Sequence, residues 1–291
     1  MDLGPLLIVL LSAAGHAMWN LLAKQSRHKL VFIGGLYVLA VPLFVPIYLW
    51  RGLGAEFGVE AWACAVASGA AKAVYVLLIA QALTLGDLSI AYPVSRTAPA
   101  LVPLWAVLFL GERLSVVGLL GIACVVGAIF VIHLEGLTLA HVYHLSRSMR
   151  TRGTGFALLA ALAISIYSVI DKLAVSRYAE PISFGFIHWA FAAAFLAPYC
   201  VWRCGWSAVK STVRTEWRPL VLAAALDIGA YTLILFVMEI SKVSYIVAAR
   251  QMSQIAAIAL GAVVLKEEYG GIRLLGGALI LAGITLIAFA R

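Results

Sequence analysis

The sequence predicts an all-α polytopic membrane protein, with ten transmembrane helices arranged as two inverted five-helix repeats (5+5) around a central cavity. Three observations carry that expectation: the composition, the length of the apolar runs, and a similarity between the two halves of the chain. Hydrophobic residues fill 64% of 291 positions and charged residues 12%, with a mean hydropathy of +1.04. A soluble domain carries roughly 25% charged residues and could not expose so much apolar surface without aggregating. In hydrocarbon, backbone N–H and C=O groups must be satisfied internally, so spanning segments are helices or a closed barrel. The apolar runs are about 20 residues long, the length of a spanning helix, and do not alternate as barrel strands do.

Polar and turn-forming residues punctuate the chain into spans at 3–24, 30–50, 60–83, 88–110, 115–134, 155–175, 182–202, 219–238, 243–265 and 272–290. The first lacks a basic leader and a small-residue cleavage site, and reads as a retained helix. The longest polar stretch contains Arg147, Arg150 and Arg152. It divides the chain into an N-terminal repeat (1–135), a linker (136–154) and a C-terminal repeat (155–291). A second polar stretch, 203–218, separates the seventh and eighth spans. The net charge of +8 comes from basic residues in short loops, where the positive-inside rule places them, and does not point to nucleic acid. Cys64, Cys124, Cys200 and Cys204 form no CxxC pair and no Cys/His cluster, so no metal site is expected.

Sliding 86–115 onto 241–270 brings Ser89 onto Ser244, Leu110 onto Leu265 and Glu112 onto Glu267. The same offset carries Leu119, Leu120 and Gly121 onto Leu274, Leu275 and Gly276. Near the start of each half, WNLLAK (19–24) matches YSVIDK (167–172). An odd number of helices per repeat forces the second copy to enter from the opposite face. This is the inverted plan of many secondary transporters, with a substrate site near mid-depth.

Each repeat closes with an apolar helix, a short loop bearing GERLS or KEEYG, and a last Gly-containing helix. This pattern resembles the drug/metabolite transporter superfamily, specifically its EamA-type ten-helix members, among them bacterial amino acid exporters. The resemblance covers nearly the whole chain, and LGERLS (110–115) is its most specific part. It implies a helical basket in a bacterial inner membrane that moves metabolites such as amino acids, with cytoplasmic termini. The second half departs from the motif, with Lys266-Glu267-Glu268 standing where the first has Gly-Glu-Arg.

Ionisable groups at mid-bilayer are costly and count as functional by default. Four stand out: Lys72, Arg96, Asp227 and Arg250. The repeat offset carries Lys72 onto Asp227, so the two form either a structural ion pair or the two poles of a binding site. Arg96 and Arg250 lie in the fourth span of each half, the former among Pro93, Pro99 and Pro103, which remove backbone hydrogen bonds. Arg250, Gln251 and Gln254 share a helix face. Tyr92 and Ser95 precede Arg96. His16, Trp19 and Asn20 form one stripe in the first span, answered by Tyr167, Ser168 and Asp171 in the sixth, the last near a helix end. Tyr75 follows Lys72 by one turn and Tyr231 follows Asp227. Interleaved aromatic and polar groups suit a pocket for an organic solute, although such residues also pack at interfaces. His188 with Trp189 reads as packing.

The deep charges count three positive and one negative, a balance that attracts carboxylates. The expected activity is secondary transport, in the direction of export, of amino acids or other carboxylate-bearing metabolites by alternating access. Asp227 and His16 are the candidates for proton coupling. A flippase for lipids or lipid-linked metabolites is the alternative, with Arg96 and Arg250 holding a phosphate head group. No HExxH, GxSxG or phosphate loop suggests an enzyme, and no cofactor is expected. The partners are a small-molecule substrate, the bilayer and protons, with the chain a monomer or weak homodimer. Loop charges favour the faces after the odd-numbered spans as cytoplasmic, which puts both termini outside, against the family resemblance.

Overall fold

The structure, a computed structural model, describes residues 1–51, 57–85, 93–132, 151–256 and 271–290. All regular structure among them is helical: α1 (Leu3–Gln25), α2 (Lys29–Arg51), α3 (Val59–Leu85), α4 (Ala98–Leu110), α5 (Val116–Val131), α6 (Arg152–Arg177), α7 (Pro181–Ile240), α8 (Val243–Ala249) and α9 (Gly271–Phe289). Seven helices among the described residues are long and apolar enough to cross a membrane. The protein is an all-α polytopic membrane protein. Tyr92, Ser89 and Glu267 lie outside the described residues.

Two features differ from the sequence expectation. The stretch 203–218 is not an open connector. It continues α7, a helix of 60 residues that breaks at Gly205 (φ 80°, ψ 152°) and at Glu216 (φ −119°, ψ 20°). A straight helix of that length would reach about 90 Å, three times the hydrocarbon thickness, so α7 must turn between the two predicted spans it contains. Gly205 adopts a backbone region closed to residues with a Cβ. Around these breaks Trp202, Trp206 and Trp217 stand exposed beside Arg203, Lys210, Arg214 and Arg218, the composition of a membrane interface. The second difference concerns the sixth span. It extends to Arg177, which places Asp171 well inside the helix.

The described residues divide into two compact units, each drawing on both halves of the sequence. Unit 1 comprises 1–7, 74–169 and 241–291; unit 2 comprises 8–73 and 170–240.

In unit 1, α5 packs along α9. A Cβ on Gly276 would fall on the Ile132 side chain, and one on Gly121 would lie 2.8 Å from that of Ile287. The offset that aligns the halves carries Gly121 onto Gly276 and Ile132 onto Ile287, so the two contacts exchange under it. High numbers on one helix meet low numbers on the other, which makes the helices antiparallel. The inverted relation read from sequence is therefore built into this crossing. Small residues let the backbones approach, as is usual where apolar side chains gain nothing by leaving lipid. The Met1 amine donates to the carbonyls of Ile287 and Ala290, tying the chain's beginning to the end of α9.

In unit 2, α2 packs along the first limb of α7, again antiparallel. A Cβ on Gly34 would fall on Cys200, while Phe44 packs on Trp189 (5.4 Å) and Tyr48 stacks on Phe186 (4.4 Å). Gly69 of α3 lies against the backbone of His188 and Ala192. Ser12 of α1 donates to the Ala230 carbonyl at 2.7 Å.

Enlarging Gly121 to Ala overpacks the α5–α9 crossing, because the added methyl would meet the Gly283 carbonyl oxygen at 2.7 Å. The expected cost is about 1–3 kcal/mol, measured as unfolding in mixed micelles. Gly127→Ala, with nothing within 4 Å, is expected to leave stability unchanged or slightly raised.

Candidate functional site

A long apolar helix can carry an ionisable group only if another element supplies a partner. In unit 2 three helices do this together. Lys72 of α3 and Asp227 of α7 are each 4% exposed, and Asp171 of α6 is fully buried. The Lys72 ammonium lies 3.7 Å from the centroid of the Tyr231 ring, with the rings of Tyr37 and Trp189 at 5.6 and 5.7 Å. A desolvated cation over aromatic faces gains about 2 kcal/mol or more from the ring quadrupole.

The same aromatics bind the carboxyls. Trp189 Nε1 donates to Asp227 Oδ2 at 3.3 Å, while the Tyr231 hydroxyl donates to Asp171 Oδ2 and Ser68 Oγ to Asp171 Oδ1. Tyr231 and Trp189 therefore each touch the ammonium with a ring face and a carboxyl with a polar edge. His188 completes the cluster. It stacks on Phe184 (5.8 Å, 3°) and Tyr231 (5.7 Å, 28°), fully buried, with neither ring nitrogen bonded to a described residue.

Sequence reasoning picked out Lys72, Asp227 and Tyr231, and the structure brings them together. It set Asp171 near a helix end and read Trp189 as packing, and it passed over Ser68 and Tyr37. Asp171 changes the charge balance: among the described residues the deep groups number three cations (Lys72, Arg96, Arg250) and two carboxyls (Asp171, Asp227). Lys172, its chain neighbour, gives no interior charge. Its ammonium donates to the Met238 and Glu239 carbonyls at the end of α7.

The first-span stripe is held locally. Trp19 Nε1 donates to His16 Nδ1 at 3.1 Å, and Asn20 Nδ2 to the His16 carbonyl at 2.7 Å. These three belong to unit 2.

Unit 1 holds the remaining predicted residues. Tyr75 and Tyr167 pack with ring centroids 6.3 Å apart, and Ser95 is buried. Both arginines sit where a spanning helix is interrupted. Residues 93–95 are helical, and α4 begins at Ala98. Between them the amides of Arg96 and Thr97 bond three residues back, to Pro93 and Val94 (3.0 and 3.2 Å). After α8 ends at Ala249, the Gln251, Ser253 and Gln254 amides also bond three residues back (3.1, 3.0 and 2.9 Å).

The tighter turn thus recurs at equivalent places of the two halves. Arg96 and Arg250 are partly exposed beside it, as is Met252, while Pro93, Val94, Ser95, Thr97, Ala248, Ala249 and Gln251 are buried. Gln254 Nε2 donates to Gln251 Oε1 at 2.8 Å, so the glutamines bond each other.

The GERLS glutamate acts between helices. Glu112, just past α4, accepts from the Val243 amide with Oε1 and from the Ser244 hydroxyl with Oε2 (2.5 and 2.6 Å). It caps the start of α8 with a negative charge, where the helix dipole favours one. Lys242 returns a bond to the Arg113 carbonyl at 2.6 Å. Since Glu112 follows the end of α4 and Val243 begins α8, the two helices run antiparallel, as the inverted relation demands.

Spanning helices from two related halves, buried charges held by aromatic partners and interrupted helices bearing arginine together define a membrane transport protein. The EamA-like transporter family matches residues 3–134 and again 151–289. The chain belongs to this family and is a membrane transporter of the drug/metabolite transporter superfamily, with two repeats. A crystal structure of a protein superposes with a TM-score of 0.72 at 17% identity, covering 99% of each chain; that likeness is one of fold. No curated protein matches the sequence.

Replacing Glu112 by Ala leaves the first amides of α8 without their carboxylate. The expected loss is about 2 kcal/mol of stability in mixed micelles, with Glu112→Gln losing less because one oxygen acceptor remains. Equal stability of all three proteins would show that the cap contributes nothing.

Proposed function

We propose that this transporter exports amino acids or other small carboxylate-bearing metabolites by alternating access, without nucleotide hydrolysis. The supporting observation is the pair of helix interruptions in unit 1. Among its described residues, the ionisable groups deep in its spanning helices are Arg96 and Arg250, both cationic. Each is partly exposed within a run of mainly buried neighbours. Irregular backbone at membrane depth is tolerated where it lines a cavity or is buried in protein, and discontinuous helices form substrate sites in many secondary transporters. A guanidinium there offers a planar pair of donors that match a carboxylate. Export is the direction suggested by the resemblance to amino acid exporters.

Counterflow in proteoliposomes tests this reading, using a mixed pool of labelled amino acids and small carboxylates with and without a proton gradient. Uptake of a pool member is expected, and Arg96→Ala and Arg250→Ala each lower its rate about tenfold or more, the loss of one charge-assisted contact. Absence of uptake by a folded protein that instead moves fluorescent phospholipid between leaflets would replace this reading with a flippase.

A further inference from the structure

One end of unit 2 gathers basic and aromatic side chains that transport does not use. The two breaks in α7, at Gly205 and Glu216, cut out a helical stretch of about three turns, 206–215. Its ends are fixed by α2. Cys200, before the first break, lies against Gly34, and Leu220, after the second, lies against Gly35. Arg27, in the turn between α1 and α2, donates its amide to Glu216 Oε1 at 3.3 Å. The stretch therefore lies at the end of unit 2 where α1 meets α2.

Its sides differ. Ala208, Val209 and Thr212 turn inward, half-buried or buried, whereas Trp206, Lys210, Val213 and Arg214 stand exposed. These four recur at i, i+4, i+7 and i+8, one stripe of a helix. Trp202, Arg203, Trp217 and Arg218 continue the exposed surface past the breaks, and the Arg218 guanidinium lies 5.3 Å from the Trp217 ring centroid. The neighbouring turn adds exposed Arg27 and Lys29. Across these two stretches six exposed cations stand with one acid, Glu216, whose carboxylate is tied to the Arg27 amide.

We propose that this end of unit 2 binds the head groups of anionic phospholipids, with Lys210 and Arg214 as its central contacts. Tryptophan settles at the level of the head groups, one end apolar and the other wet. Three exposed tryptophans thus put the stripe at that depth. There the stems of lysine and arginine lie along the acyl boundary and carry their charges to the phosphates. A zwitterionic head group brings its own ammonium and leaves the excess of cations uncompensated. A head group with a net negative charge offsets it.

The far end of α2 has a different balance. There Arg51 and Arg177 share one cleft with Glu180 and Glu239, two charges of each sign. Anionic lipid therefore gathers at the first end of unit 2 and not at the second. The surface shares no residue with the arginine turns of unit 1, so it does not rest on the transport reading above.

The test is the lipid selectivity of the full chain in phosphatidylcholine bilayers carrying a trace of spin-labelled phosphatidylglycerol or spin-labelled phosphatidylcholine. Electron spin resonance reads the fraction of each label slowed by the protein. At about 0.1 M salt the anionic label is expected to be held at least about twofold more often. The local gain is about fivefold per basic side chain, averaged over the whole lipid boundary. Raising the salt to about 1 M shortens the screening length from about 10 Å to about 3 Å and should remove most of the preference. Lys210→Gln with Arg214→Gln should do the same, whereas Arg51→Gln with Arg177→Gln leaves it unchanged. All four side chains are exposed, so neither pair of changes empties a buried contact, and the salt titration needs no variant. Equal retention of the two labels overturns the proposal, as does a preference that Lys210→Gln with Arg214→Gln leaves intact. The readout needs no substrate, so a failed counterflow experiment and a failed lipid site are separate results.

Discussion

The Lys72 ammonium, lying against the Tyr231 ring, is the contact on which the organisation of unit 2 depends. An ammonium so deep in a spanning helix has lost its hydration, and aromatic faces replace only part of it. Two carboxyls on other helices supply the opposite charge within the same cluster. The rings that touch the cation also bind the acids: Tyr231 through its hydroxyl to Asp171, Trp189 through its indole to Asp227. Moving any of α3, α6 or α7 therefore disturbs the surroundings of a charge carried by another. Such a cluster fixes helix register more strictly than apolar packing does, because one register satisfies all of it.

Unit 1 is held by different physics. Its helices meet through small residues and ordinary dispersion, most closely where Gly121 and Gly283 bring two backbones together. Glu112 adds a charged cap outside the spanning segments. The arginines occupy the turns where their helices depart from α geometry. Arg96 and Arg250 of unit 1 are thus at interrupted backbone, whereas Lys72, Asp171 and Asp227 of unit 2 are inside regular helices.

Much of this was legible in the sequence, for physical reasons. Hydrocarbon selects long apolar runs, so the polytopic helical class could be read from hydropathy alone. The spacing of GERLS and KEEYG exposed the repeat, and the antiparallel α5–α9 crossing follows the same offset. Lys72 and Asp227 stood out because nothing near them in sequence relieves their cost. Asp171 did not, since Lys172 beside it makes a helix end the simpler reading. The separation of the two side chains, one inward and one to the carbonyls ending α7, depends on tertiary packing. The break beside Arg96 was signalled by its prolines; the break at Arg250 has none. His188 gave no signal because stacking between Phe184 and Tyr231 leaves no mark on spacing. The helical course of 203–218 was hidden by its polarity, which suits an interface as well as a loop.

The account's central claim is that Lys72 and Asp227 belong to one mutually compensated set of charges. A double-mutant cycle on folding stability in mixed micelles, with Lys72→Met and Asp227→Asn, tests it most directly. Lys72→Met strands the buried carboxyls and should cost about 3–5 kcal/mol, Asp227→Asn leaves Lys72 in one cluster with Asp171 and should cost less, and the double variant should lose clearly less than the sum of the two. Additive losses would mean that the two charges are stabilised independently, and would contradict the account.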